Sequence, residues 1–97
     1  MPSDNGITRD TTPCPDLIYR GHGVACVRLA HAPGRPQRYA IVRMSDGAML
    51  GELRWSGKGR CYVLVPGPQT AWESGMLSLV GVWLRRLTRA ALAARQP

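Results

Sequence analysis

The sequence predicts an α+β domain in which an antiparallel β-meander of three to four strands packs against one long C-terminal amphipathic helix. Short β-rich segments separated by turn residues predict the meander, and an apolar stripe of helical period near the end of the chain predicts the helix. The 97 residues suffice for one domain. We expect this single domain to span residues 17–97, after a flexible arm at residues 1–16 that is rich in proline and polar residues.

The strands are predicted from β-forming residues bounded by turns. Residues 24–31 read as a strand that ends at the loop of residues 32–36, and residues 39–44 read as the next strand. Asp46-Gly47 then indicates a hairpin with a two-residue turn, which pairs Ala40 with Leu53. A second turn at residues 56–59 leads into a strand at residues 60–65, with Trp55 facing Arg60.

This register predicts two different faces for the sheet. One face is apolar and carries Ala40, Val42, Met44, Met49, Leu53, Trp55, Tyr62 and Leu64. The other face is mixed and carries Tyr39, Ile41, Arg43, Leu50, Glu52, Arg54, Cys61 and Val63. We expect the mixed face either to be half covered, for example by the strand near Val24, or to be a contact surface.

The helix is predicted over residues 71–94, after Pro66 and Pro68 end the last strand. Thr70 and Glu73 have the spacing of a capping box. At 100° per residue one stripe holds Trp72, Met76, Leu77, Leu79, Val80, Trp83, Leu84, Leu87 and Ala91. We expect a core made of Leu53, Trp55, Tyr62, Leu64, Trp72, Met76, Val80 and Trp83.

The charge balance favours an anionic partner. Thirteen Lys and Arg against six Asp and Glu give a net charge of +7, and all the cations except Lys58 are arginines. Arginine forms bidentate contacts with phosphates and carboxylates. A coding bias towards arginine would explain the same excess without a function, and the sequence leaves both explanations open.

The cysteines and histidines do not indicate a metal, a cofactor or a catalytic site. Cys14, Cys26, Cys61, His22 and His31 form none of the close pairs typical of zinc motifs, and neither histidine lies in a recognisable catalytic pattern. We therefore expect no enzyme activity, no metal, no cofactor and no small-molecule substrate. Cys26 and Cys61 are expected to be small buried residues of strands.

The expected location is the cytoplasm. An odd number of cysteines without a close pair argues against a disulfide framework and fits a reducing compartment. Residues 1–16 have no apolar core of the length that a secretory signal needs. The longest apolar run, residues 76–84, is shorter than a membrane span.

One segment of the sequence resembles a known group of proteins. Residues 50–55, with Arg60, Tyr62, Pro66 and the predicted helix, resemble small uncharacterised prophage and mobile-element proteins that share a G-x-[IL]-R-W segment, an R-x-Y segment and a following proline. The resemblance covers roughly residues 48–84 and departs from the pattern at Gly59, where an aromatic residue is common. It implies a mobile-element origin and no catalytic residues. The element order also resembles tyrosine-recombinase arm-binding and AP2-type DNA-binding domains, where a sheet enters the major groove.

Two functions from different classes fit these observations. The first is nucleic-acid binding, in which arginine-rich hairpins contact the backbone or a groove through Arg38, Arg43, Arg54, Lys58 and Arg60. The alternative is a phage or mobile-element accessory protein, similar to an anti-CRISPR protein, that binds an acidic surface of a host or defence protein. It would use the mixed face with Tyr39, Ile41, Arg43 and Arg54.

Two further modes of association stay open from the sequence. Arg85, Arg86 and Arg89 lie beside Trp83 and several leucines in the predicted helix, a composition that also suits binding to a membrane surface. We rank this mode lower, because the helix is needed to close the core. A homodimer formed through an uncovered strand edge is also compatible with the sequence.

Overall fold

The computed structural model describes residues 16–95, which form a five-stranded antiparallel sheet and one helix. The strands are β1 (Leu17–Gly21), β2 (Val24–Leu29), β3 (Arg38–Arg43), β4 (Met49–Ser56) and β5 (Cys61–Pro66), and the helix is α1 (Ser74–Arg95). The strands lie side by side in chain order, so the sheet is a meander. The predicted α+β class is confirmed, with five strands where three to four were expected. The predicted arm, apart from Asp16, lies outside the described residues.

The strand missing from the prediction is β1. It is short, and it pairs with β2 through the two-residue turn His22-Gly23, in which both residues have positive φ. Two-residue turns of this kind favour Asn-Gly, Asp-Gly or Gly-Gly, so His22-Gly23 gave no recognisable turn signal in the sequence. The strand near Val24 is β2. It lies between β1 and β3 within the sheet and covers neither face of it.

The β3–β4 turn differs from the predicted one, and this difference moves the strand register by one residue. A type I′ turn needs positive φ at both central residues, but only Gly47 has it, at 74°. Asp46 instead accepts a hydrogen bond from the amide of Ala48, and the loop spans residues 44–47 between Arg43 and Ala48. An irregularity in the ladder then leaves Tyr39 opposite Leu53 and Ala40 opposite Glu52.

A shift of one residue exchanges the two faces of β3. Tyr39 and Ile41 therefore point towards the helix, and Ala40 and Val42 point away from it, which is the reverse of the prediction. In the β4–β5 hairpin the register is shifted by two residues, with Trp55 opposite Tyr62, so Leu53, Trp55, Tyr62 and Leu64 face the helix as predicted. The start of β4 differs from the prediction, because Leu50 is in the core and Met49, opposite Val42, is exposed.

The core lies between one sheet face and α1. Its buried members are Val24, Cys26, Ile41, Leu50, Leu53, Tyr62, Val80, Trp83 and Leu87. Trp55, Leu64, Trp72 and Met76 are partly buried against it, so all eight predicted core residues belong to this packing. Leu77 was predicted in the helix stripe, but it is 46% exposed. Cys26 is buried as predicted, whereas Cys61 is only partly covered.

The helix begins later than predicted, because the residues of the expected capping box are used differently. The hydroxyl of Thr70 donates to the carbonyl of Gly67 and accepts from the indole of Trp72. The first turn of α1 is anchored by the amide of Leu77, which donates to the carbonyl of Glu73. This arrangement lets the Trp72 ring lie over Gly51, where a Cβ atom would be 3.0 Å from it.

Within the described residues, no helix combines the length and the apolar character needed to cross a membrane.

Candidate functional site

Two connections that are distant in sequence meet at one end of the sheet. Because neighbouring strands are antiparallel, the β2–β3 loop at residues 30–37 and the β4–β5 turn at residues 57–60 lie at the same end. Together with the adjacent strand ends they carry His31, Arg35, Arg38, Arg54, Lys58 and Arg60. We call these six residues the basic end. Four of them were predicted as site residues.

The basic end contains a groove of about 550 Å³ between the β2–β3 loop and the end of β4. We call it the basic groove. Its volume lies within the range typical of ligand sites, roughly 300–1,000 Å³. The lining residues are Ala30, His31, Ala32, Arg35, Pro36, Arg38, Arg54 and Trp55. The groove therefore combines three guanidinium groups with one indole ring.

A buried carboxylate holds two of these guanidinium groups. Arg38 Nη1 donates to Glu52 Oε2 at 2.7 Å, and Arg54 Nε donates to Glu52 Oε1. The Glu52 side chain is 11% exposed, whereas those of Arg38 and Arg54 are 46% and 54% exposed. One buried acid thus orients two arginines that remain half accessible, and the triad keeps a net charge of +1. Each guanidinium has five N–H donors, so donors remain for an external anion.

The hairpin turn contributes two more cations. Lys58 and Arg60 are exposed, and Arg60 adopts a left-handed conformation with φ of 54°. Among the described residues neither side chain takes part in an ion pair. The hydroxyl of Ser56 accepts a hydrogen bond from the amide of Gly59 and so supports the turn. The charges of Lys58 and Arg60 are therefore exposed to solvent beside the basic groove.

Two predicted site residues do not join the basic end. Tyr39 is in the layer facing the helix, where its ring makes an edge contact with Tyr62 at 5.6 Å. Burial raises the pKa of the Tyr39 hydroxyl, which is consistent with a packing role. Arg43 lies at the opposite end of the sheet and forms an ion pair with Asp46 at 2.9 Å. The mixed surface proposed for Tyr39, Ile41, Arg43 and Arg54 is therefore not a continuous surface.

The prediction missed His31, Arg35 and the second role of Trp55. The β2–β3 loop was recognised as a loop, but the position of β2 beside β3 is what brings this loop to the basic groove. Trp55 was assigned to the core, and it does make an edge contact with Tyr62 at 5.4 Å. It also lines the groove. A proline and glycine loop flanking an arginine was the available signal, and it is not specific.

The helix arginines lie on a separate surface. Arg86 lies over the ring of Tyr19, with the guanidinium carbon 5.8 Å from the ring centroid. Arg85 and Arg89 line a shallower groove of about 400 Å³ with Cys61, Tyr62, Leu84, Thr88 and Leu92. Arg86 is thus partly committed to packing, and the other two border the edge strand β5.

The potential metal ligands are dispersed in the described part of the chain. No group of three or more His, Cys, Asp or Glu residues is brought together within residues 16–95. Cys26 is in the core, where burial raises the pKa of its thiol to about 12. His22 packs against Gly75 at the end of the sheet opposite to His31. Cys14 lies outside the described residues.

Comparison with known proteins does not assign the chain to a family: no protein-family model, no curated protein and no solved structure matches it.

Proposed function

We propose that this protein is a small nucleic-acid-binding protein that contacts phosphates through its basic end. The observation that carries the proposal is the convergence of Arg35, Arg38, Arg54, Lys58 and Arg60 on one end of the sheet. Glu52 pairs with two of them, Arg38 and Arg54, and leaves the charges of the other three uncompensated by any ion pair among the described residues. Such a concentration of charge attracts phosphates and releases their counterions on binding.

The guanidinium and ammonium groups of the basic end support binding to an anion. Guanidinium and ammonium groups are protonated at neutral pH, so they donate hydrogen bonds to anions and do not accept protons. Arg38 and Arg54 are held by Glu52 before any ligand arrives. Less conformational entropy is then lost on binding.

The test compares two variants that lose equal charge at opposite ends of the sheet. Lys58→Gln with Arg60→Gln removes two cations from the basic end, whereas Arg20→Gln with Arg43→Gln removes two from elsewhere. Binding to a labelled oligonucleotide is measured by fluorescence anisotropy over a series of salt concentrations. The first variant is expected to bind more weakly, with a slope of log affinity against log salt that is smaller by about one per lost phosphate contact. Equal losses in both variants would contradict a localised site.

A second candidate function is binding to a protein, as in a mobile-element accessory protein that inhibits a host protein. The observation in its favour is the sheet face that α1 does not cover. Its exposed apolar residues include Met49, Val63 and Val65, which are 55%, 38% and 37% exposed. Exposed apolar area next to arginines is typical of protein interfaces.

This second candidate has a distinct test. Val63→Glu with Val65→Glu places charge on the uncovered face and leaves the basic end intact. A host protein that co-purifies with the wild type but not with this variant would support the candidate. Loss of the same partner from the Lys58 and Arg60 variant alone would instead place the contact at the basic end. Size-exclusion chromatography with light scattering distinguishes a homodimer from a complex with another protein.

A further inference from the structure

The basic groove is concave, and its lining differs from that of a simple phosphate-binding surface. Arg35 comes from the β2–β3 loop, which forms one wall of the groove, and Arg38 and Arg54 come from the sheet. The Trp55 indole lies at the same groove and adds apolar, aromatic surface. Phosphate contacts need only the cations, so the aromatic surface is available for a different, apolar part of a ligand.

Trp55 is held in a fixed orientation. Its ring meets the Tyr62 ring at an interplanar angle of 74°, and the Tyr62 hydroxyl donates to the carbonyl of Gln37 at 2.7 Å. Gln37 in turn donates through its side chain to the carbonyls of Leu29 and Arg38. The β2–β3 loop and the indole are therefore connected by a chain of contacts through Tyr62 and Gln37.

The form of nucleic acid that fits this groove depends on whether the faces of its bases are accessible. In a duplex the base faces are stacked inside the helix, so a concave site can reach only phosphates and groove edges. A single strand exposes its base faces, and these stack on aromatic side chains while the backbone follows cationic residues. A groove with guanidinium groups and an indole matches the second pattern.

We propose that the basic groove binds single-stranded nucleic acid, with a base against Trp55 and the adjoining phosphates at Arg35, Arg38 and Arg54. This inference rests on the proposed function and specifies the class of its ligand. Lys58 and Arg60, at the same end of the sheet, extend the path of the backbone beyond the groove. Arginine and tryptophan thus have separate tasks, because the first contacts the backbone and the second contacts the base.

The experiment uses the full chain and four probes of one sequence: labelled 15-nucleotide DNA and RNA single strands, and the corresponding DNA and RNA duplexes. Affinities of the wild type, Trp55→Leu and Trp55→Phe are compared at one low salt concentration. The wild type is expected to prefer the single strands. Trp55→Leu is expected to weaken single-strand binding about five-fold to a hundred-fold, the equivalent of one lost stacking contact. Trp55→Phe keeps an aromatic ring and is expected to retain most of the affinity.

Thermal melting of each variant separates a loss of binding from a loss of folding, and Trp55→Phe serves as the conservative control. Equal affinity for duplexes and single strands, unchanged in both Trp55 variants, would overturn this inference and leave the proposed function standing. No binding of any of the four probes would overturn both. A third outcome is that acidic peptides compete with the oligonucleotides and that the Trp55 variants bind these peptides as tightly as the wild type does. The groove would then be a carboxylate site, and the inference would be wrong.

Discussion

The two described cysteines differ in chemical environment although both are in strands. Cys26 is fully buried beneath the helix, and burial raises the pKa of its thiol from 9.0 to about 12. Cys61 begins β5 and is partly exposed. Thiolates and not thiols react with disulfide reagents, so the burial and the raised pKa of Cys26 make it the less reactive of the two.

We expect a Cys14→Ser variant to show one fast thiol and one protected thiol when treated with a disulfide reagent at pH 8. Cys61 should react in the native state, and Cys26 only after unfolding. Since the folded-state pKa of Cys26 lies above 9.0, its contribution to stability is complete below that pH and is lost as the pH rises towards about 12. Two equally fast thiols in the native protein would contradict the packing of Cys26.

The Arg38, Glu52 and Arg54 triad predicts an order of stabilities among its variants. Replacing both arginines by alanine leaves the buried Glu52 carboxylate without a cation, and we expect a loss of about 3 kcal/mol. Adding Glu52→Leu removes the buried charge, so the triple variant should recover part of this loss. The free energies of unfolding of the wild type, the double variant and the triple variant are measured in urea. A triple variant less stable than the double variant would show that Glu52 does not depend on the arginines.

At the scale of elements, the contact between helix and sheet holds the fold together. Trp83 is 2% exposed and stacks on Tyr19, with ring centroids 5.6 Å apart. The hydroxyl of Thr88 accepts a hydrogen bond from the amide of Tyr62, which ties the later part of α1 to β5. The helix therefore contacts both edge strands, β1 and β5, and closes the core across the sheet.

Truncation of the helix face should separate buried from exposed positions. Trp83→Ala is expected to cost about 3–5 kcal/mol, because it removes a buried ring and leaves a cavity. Leu77→Ala is the control on the same helix, and its effect should be small, since this side chain is 46% exposed. The free energy of unfolding in urea is the measurement. Equal effects of the two substitutions would reject the helix orientation.

At the scale of the whole molecule, charge is distributed unequally along the strand direction. The basic end carries five of the cations, whereas the other end has Arg20, Arg43 paired with Asp46, and Glu73 before the start of α1. If the partner is anionic, as we propose, such an asymmetry would orient the protein before contact is made. The β2–β3 loop and the β4–β5 turn form this surface at one end of the sheet, beside the core that the sheet and α1 enclose.

We expect deletion of residues 1–14 to leave the melting temperature within a few degrees of the full chain. The reason is that, within residues 16–95, the buried core is formed by side chains between Val24 and Leu87. Differential scanning calorimetry of the two chains checks this. A large loss of stability would show that residues 1–14, which include Cys14, contribute to the folded structure.

The sequence by itself determined the fold class, the order of β3, β4, β5 and α1, and the main core. These follow from local patterns: period two in strands, period 3.6 in the helix, and turn residues between them. Leu53, Trp55, Tyr62 and Leu64 were placed on the correct face, because the β4–β5 register was in error by two residues, which preserves the side. The basic hairpin turn with Lys58 and Arg60 could also be predicted, because turn residues are a local pattern in the sequence.

Only the tertiary structure decided the β3 register and the composition of the basic groove. The Asp46-Gly47 pair is compatible with more than one loop length, and the choice between them depends on which face of β3 meets the helix. The groove forms because β2 pairs with β3, which places the β2–β3 loop beside the end of β4. Arg35 and Arg54 therefore line the same groove although they are distant in the sequence. Local propensity does not encode such pairings, because the burial of Tyr39 and Ile41 under α1 is a property of the assembled core.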